Sequence, residues 1–564
     1  MIRFNRHTLI KYSLEIASLV LLSLSFMLVL RHIDISPWKE FIFGNSDILT
    51  LSLVWDSITS GEPFNWVFSS QIFLFPELPL YALSSLFSGD FKITLIINAF
   101  INIVIFYVIV RLLVNIFTNN KIISLSFGLL FTLSIMFLMA IEYREGGNLA
   151  MYYFVTTAYY GVIIAALFSL YLTIKLILMY KSGQLKEQSV KFKVYLTSLL
   201  LIAILTGTSN PMFFLQFTGP FMCVLILLCA FKYIPSRIFI WLAGLNIASL
   251  IISVIIRKSL LNNFFSPLGD VSSYLHFERI SPTLFAFKDI SKQMLTGSVK
   301  QQIEIIAVTA LIITAVTMIV ILLKQGFNNR KKSLELKSDQ VATFTLVFFC
   351  ALAPLTTITG TIATGNPLTR YLLPIIFFTP FIFLPAYLRF FKKYSLLQPI
   401  YIVYTLALVV VLAVAVMQPS KNVSSLSRYY PSSAQCMDEK LQNTQYKNGV
   451  AQYWRARVLQ LNSKDNHKII QTDGAIKRFG WLYNNSTYDK YDVSFVVVDK
   501  PLQNTSQEVS NEGAFIINPS TAVYLLGQPT NIYSCNEFDI YAYDPGTNGR
   551  KVLNQVIRDK SMGL

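Results

Sequence analysis

Charged side chains are scarce in this chain. They make up 14% of its 564 residues, against roughly 25% in a soluble globular protein. With 54% hydrophobic residues beside that shortage, a soluble fold is excluded and an integral membrane protein is implied. Cysteine is sparse too. Cys223, Cys229 and Cys350 lie in apolar runs, and only Cys436 and Cys535 lie in polar sequence. There is no CxxC pair and no Cys/His cluster, so a cysteine metal site has no sequence basis. GxGxxG, the Gly-rich phosphate loop and HExxH are all missing, which leaves dinucleotide chemistry, ATP hydrolysis and zinc proteolysis without support. No A-x-A-like site follows the first apolar run, Leu14 to Leu30, so that run reads as a retained anchor. Repeats and low-complexity tracts are absent as well.

What is present is a series of long apolar runs. A helix needs about 20 mostly apolar residues to cross a bilayer. Eleven runs qualify or come close: 12–31, 92–117, 122–141, 151–178, 195–208, 213–231, 238–256, 303–323, 341–358, 371–388 and 397–416. The run at 195–208 is the shortest. The net charge of +17 would suggest nucleic acid in a soluble chain, but here placement matters more than the sum. Arg3, Arg6 and Lys11 precede the first run, and every second connection after it is basic, as in the stretch holding Arg330, Lys331 and Lys332. These segments carry 18 basic and three acidic residues. The alternation predicts eleven spans with a cytoplasmic N-terminus, a lipid bilayer as partner and no nucleic acid. The opposite face then holds 32–91, 142–150, the turn near Pro211, 257–302, 359–370 and everything after 416.

Segment 32–91 is too long for a turn. It places Asp47, Asp56 and Glu77 among aromatic and apolar residues. Asp47 follows Gly44, Asn45 and Ser46 and precedes an apolar run that would lie as a helix on the membrane surface. A carboxylate there could act as a general base towards a hydroxyl or hold a metal; it could equally cap the helix. Asp56 ranks below it, and Glu77 could face a cavity or cap a break between helices. In the second outer connection Glu142 and Glu145 are three residues apart, on one face of a helical turn, with Arg144 between them. Together with Asp47 they could form a metal or acceptor site, with Asp47 and Glu142 as the metal ligands. Arg370 beside Tyr371 suits a lipid phosphate, since guanidinium offers several donors to phosphate oxygens. Arg257 and Lys258 are basic on a face expected to lack basic residues, which also suits an anion.

The sequence changes character at 417. The tail, 417–564, is polar and large enough for one domain. CMDEKLQN and GVAQYWRARVLQLN read as helices; KIIQT, SFVVVD, AFIIN, AVYLLG and FDIYAYD read as strands. Cys436 and Cys535 open and nearly close it. In an oxidising compartment they would pair; the alternative is two buried thiols. The expected architecture is a polytopic α-helical membrane domain over 1–416 and a soluble α/β domain over 417–564.

This layout resembles the GT-C superfamily of membrane glycosyltransferases, which use polyprenyl-phosphate-linked sugars. The resemblance rests on one span, then a long loop with an early acid (Asp47) closed by Pro79, Leu80 and Tyr81. An acidic second loop (Glu142, Glu145) follows, then a late Arg370–Tyr371 with Pro374, and a C-terminal soluble domain. The paired acids frequent in the first loop of such enzymes are here Asp47 alone, with Asp56 nine residues on. The resemblance implies a hexosyltransferase with Asp47 as base or metal partner, late basic residues on the lipid phosphate, and no certain cofactor, a divalent metal being the one candidate. It further implies a bacterial inner-membrane location with a periplasmic tail. The acceptor would be an envelope glycan such as a lipopolysaccharide O-antigen unit. Competing classes are a transporter or flippase of a lipid-linked saccharide, and an O-antigen ligase or polymerase. A transporter would carry charge along its spans, whereas Glu15, Arg111, Lys175 and Glu304 sit towards span ends.

Overall fold

The computed structural model describes residues 6–118, 120–142, 149–154, 160–183, 189–265, 276–331, 337–365, 367–393, 397–417, 425–500 and 515–560. Among these, ten helices are long and apolar enough to cross a membrane. They are α1 (Arg6–Ile35), α5 (Phe91–Thr118), α6 (Lys121–Ile141), α8 (Tyr160–Lys181), α9 (Ser189–Ser209), α11 (Ser236–Ile255), α13 (Val299–Lys331), α14 (Ser338–Ala363), the broken helix at 369–391 and α17 (Leu397–Met417). The chain is therefore a polytopic helical membrane protein. Two of the eleven expected runs differ. The run at 195–208 belongs to a full-length span, because polar residues from Ser189 extend its helix. The run at 213–231 forms a shorter apolar helix, Phe214–Ala230, whose last part is α10 (Gly219–Ala230). The last but one span is interrupted: α15 (Pro374–Phe377) and α16 (Leu384–Lys393) flank a tight turn opened by Pro380. Proline lacks the N–H that would continue the ladder.

Packing within the bundle follows the apolar pattern. α1 and α5 pack on α6, α8 on α9, and α13 on α14. Apolar side chains remain exposed along the outer helices, among them Trp241, Ile251, Ile306, Ile313, Leu406 and Val409. In water such a belt would be costly; against lipid tails it is the favoured surface. Inside, Arg111 donates to both oxygens of Glu15, at 2.9 and 2.6 Å, joining α5 to α1.

Short helices connect the spans at the end where the tail sits. They are α2 (Trp38–Gly44), α3 (Thr50–Thr59), α4 (Glu77–Ser85), α7 (Met151–Phe154) and α12 (Ile280–Thr296). Contacts gather several connections here. Ile72 N–H donates to Ser209 at 3.0 Å, Phe68 pairs with Phe265, and His276 N–H donates to Ala363 at 3.1 Å. β1 (Trp66–Val67) pairs with β4 (Tyr483–Asn484) of the tail.

The tail is a three-layer α/β fold. Its sheet holds β2 (Asn448–Gln452), β3 (Lys468–Thr472), β5 (Phe495–Asp499), β6 (Asn531–Ser534) and β7 (Phe538–Ala542), in the order β3-β2-β5-β7-β6. β3, β2 and β5 are parallel; β7 and β6 are antiparallel. Successive residues on a strand face opposite sides, and the two cores divide accordingly. Val450, Ile470, Val496 and Val498 pack under helices Pro519–Leu526 and Asn548–Arg558. Ala451, Ile469, Phe495 and Val497 pack under α18 (Ser432–Leu441) and α19 (Tyr453–Asn462). A disulfide joins Cys436 of α18 to Cys535 at the β6–β7 turn, with Cα atoms 6.0 Å apart. Three expectations fail. GVAQ, read as helical, is β2, and the helix starts only at Tyr453. AVYLLG, read as a strand, is the end of a helix, with Pro519 in its first turn and Gly527 at φ 77° past its end. AFIIN forms no strand over its described residues.

Candidate functional site

A polar cleft of about 880 Å³ opens between the membrane end of the bundle and the tail. α3 supplies Trp55 and Asp56, α4 supplies Tyr81, and the first turn of α5 supplies Lys92. The tail closes it with Arg428, Tyr429 and Lys464. Local sequence explains the placement. Asn45 accepts from the backbone N–H of Asp47 (3.0 Å), turning the chain into α3. Asp90 accepts from Lys92 and Ile93 N–H, at 2.8 and 3.1 Å, and so caps α5 and holds the Lys92 stem at the rim. Tyr81 donates to Ser52 at 2.9 Å, fixing α4 on α3. Burial pushes the Tyr81 hydroxyl well above its usual range, so it stays a donor. The Tyr429 hydroxyl is pushed up to about 12, mainly by burial. Asp56 is exposed at the cleft wall, and its carboxylate has no hydrogen-bond or ion-pair partner among the described residues.

Asp47 lies elsewhere on the same loop. Its carboxylate accepts from the hydroxyl of Tyr453 in α19. Burial, then the Asp47 charge, push that hydroxyl far up. Around it, loop one and the tail are sewn together. Ser46 Oγ donates to Tyr453 O at 2.9 Å, while Arg457 donates to Ser46 O and Thr50 Oγ1, both at 2.8 Å. Arg457 is 1% exposed and also donates to the Leu482 carbonyl. The side chain of Asn484 donates to Ser57 Oγ at 2.8 Å.

Glu77 begins α4 and is wholly buried, with neither oxygen bonded among the described residues. It fits because Gly161 has no side chain; a Cβ there would overlap the Glu77 carboxyl. Burial pushes its carboxyl up to about 7. Glu142 ends α6. Its carboxylate accepts backbone N–H groups of Leu149, Ala150 and Met151, at 3.0, 2.5 and 2.6 Å. Its carbonyl bonds to His32 Nε2 (2.7 Å) and Trp38 Nε1 (3.1 Å). Burial pushes Glu142 up against the pull of the three backbone donors, and the Glu304 carboxyl of α13 is its ionisable neighbour.

Arg257 braces two segments: it donates to Thr208 O (2.7 Å) and Ser70 O (2.8 Å) and lies over the Phe265 ring at 4.2 Å. Lys258 is exposed beside it. Arg370 stacks on Tyr371 at 5.6 Å, both half-buried. Arg144 and Glu145 lie outside the described residues. The structure thus joins Asp47 to the tail, Glu142 to α13 and Arg257 to loop one. None of Asp47, Glu77, Glu142, Arg257, Lys258, Arg370 or Tyr371 borders the cleft. Asp47 and Glu142 do not fit a shared metal. Tyr453 occupies the one and backbone donors the other, and no grouping of three ligating side chains among the described residues includes either. The residues that line the cleft were less visible in sequence. Asp56 looked like a bystander, and Asp90, Lys92, Arg428 and Lys464 carried no motif.

Compared with known proteins, the chain matches no family model, no curated protein and no solved structure.

Proposed function

We propose that this chain is a membrane-embedded transferase whose chemistry takes place in the cleft between bundle and tail. Its particular activity is then glycosyl transfer from a polyprenyl-phosphate sugar to an envelope glycan of the O-antigen kind. The observation that carries this reading is the makeup of the cleft. It combines an unpartnered carboxylate (Asp56), cations at the foot of a spanning helix and on the tail (Lys92, Arg428, Lys464), and aromatic faces (Trp55, Tyr429). A lipid-phosphate sugar needs these groups together. Asp56 takes the proton of the acceptor hydroxyl as its oxygen bonds to the anomeric carbon. The bond from that carbon to the phosphate oxygen breaks, and the polyprenyl phosphate leaves with the electron pair. The cations stabilise its charge, and the aromatic rings hold sugar faces. Displacement in one step inverts the anomeric centre. No metal takes part in this scheme.

Orientation belongs to the same proposal. Apart from 257–302, the connections that gather at the tail end carry few basic residues, which supports a cytoplasmic N-terminus with the cleft and tail in the bacterial periplasm. The disulfide in the tail supports an oxidising compartment.

Two substitutions test the assignment. In cells making the chain at normal levels, Asp56→Asn should cut glycan modification by about 10²-fold or more. Asp47→Asn, which keeps an acceptor for Tyr453, should retain most of it. The reverse ranking would move the base to Asp47 and sink the cleft assignment.

A further inference from the structure

We propose that the tail holds a binding site for a divalent transition-metal ion, Zn²⁺ above all, formed by His467, Asp438 and Asp465. The ligating atoms of these three side chains lie within 4.8 Å of one another. The site stands on its own geometry and does not rest on the proposed sugar transfer.

His467 decides the matter. It is 1% exposed, and its Nδ1 lies 3.1 Å from the main-chain oxygen of Lys447. A carbonyl only accepts, so Nδ1 carries a ring proton, and in the neutral imidazole Nε2 presents its lone pair. That Nε2 is buried with no hydrogen-bond partner, and it faces Asp438 Oδ1 at 3.8 Å. A lone pair aimed at a carboxylate leaves two acceptors facing each other with nothing between them. A cation resolves this. Zn²⁺ held at ~2.0–2.1 Å from each atom would span the gap at an angle well wider than tetrahedral, and a small approach of the two side chains would close it to that geometry.

The surroundings have the form of an outer shell. Asp438 Oδ2 accepts from Tyr430 OH (2.5 Å) and Lys464 N–H (2.6 Å). Its Oδ1 accepts from Ser463 Oγ at 2.6 Å and keeps one lone pair towards His467. These bonds fix the carboxylate as the Lys447 carbonyl fixes the imidazole, which is how metal sites orient their ligands. Asp465 is exposed and would close the site from the solvent side, leaving room for water. One imidazole and two carboxylates favour Zn²⁺ or its first-row neighbours over Mg²⁺, which prefers an all-oxygen shell. Ser463, Lys464, Asn466 and His467 also line the cleft, so the ion would sit in its wall.

The test uses the full-length chain without an affinity tag, purified in detergent and stripped with EDTA. Titration with ZnCl₂ by calorimetry, and elemental analysis after desalting, should give one ion per chain, with MgCl₂ failing to compete. Asp465→Asn, an exposed change that leaves the fold intact, should weaken binding at least tenfold; His467→Gln should abolish it. The proposal is overturned if the wild-type chain keeps no zinc, which would leave His467 and Asp438 a bare ion pair. It is equally overturned if both variants bind zinc as the wild type does, which would place the ion elsewhere. Neither result bears on sugar transfer.

Discussion

The Glu77 carboxyl gives up its proton at about 7 rather than near 4.5, because burial disfavours its charge. The native chain therefore keeps a proton that the unfolded chain has lost once pH exceeds the ordinary carboxylate range. Stability contributed by the protonated form is complete below pH ~4.5 and falls as pH climbs to about 7, with no further loss above. Thermal unfolding in detergent between pH 5 and pH 8 should show this fall, and Glu77→Gln should flatten it. An unchanged slope in that variant would mean that Glu77 is solvated or paired in the native state. Gly161 belongs to the same feature, since any side chain there would displace the carboxyl. Sequence could flag Glu77 as an acid beside prolines. It could not show that α8 would bring a glycine against it.

Among the elements, α3 and α19 matter most for the site, because their seam sets the width of the cleft. Arg457 is the core of that seam: a fully buried guanidinium bonded to no carboxylate among the described residues, its donors spent on Ser46 O, Thr50 Oγ1, Gln471 Oε1 and tail carbonyls. Arg457→Met would leave those acceptors unpaired, at a cost on the order of 3 kcal/mol. Limited proteolysis should then cut between bundle and tail at a lower temperature than in the wild-type chain. Equal resistance would show that β1–β4 pairing and apolar contact alone hold the seam. The spanning helices were readable because each is a long apolar run, and the tail strands KIIQT, FVVVD and FDIYA because each is short, apolar and bounded by turn residues. GVAQ and AVYLLG were misread for one reason. Short apolar stretches fit both periods, and the deciding neighbours, a parallel partner for one and Pro519 with Gly527 for the other, lie outside them.

For the molecule as a whole, sequence placed loop one, the second connection and the tail on a common face, and the contacts gather those segments at one end of the bundle. It singled out loop one as the place for chemistry through its carboxylates. It ranked Asp47 above Asp56, whereas the cleft is lined by Asp56, because which of them bonds to the tail depends on Tyr453, some 400 residues away. The cations of the cleft were equally hidden: Lys92, Arg428 and Lys464 are far apart in the chain and converge only when the tail docks. A cleft built in this way suits a reaction between a substrate anchored in the bilayer and one outside it. The central claim is that this reaction is sugar transfer. The most direct measurement compares, by mass spectrometry, the envelope glycans of cells with the wild-type gene, without it, and with Asp56→Asn. A single hexose-sized increment that depends on the gene and is lost with Asp56→Asn is the predicted result. Glycans of identical mass in all three, or a gene-dependent change in chain length without that increment, would contradict it.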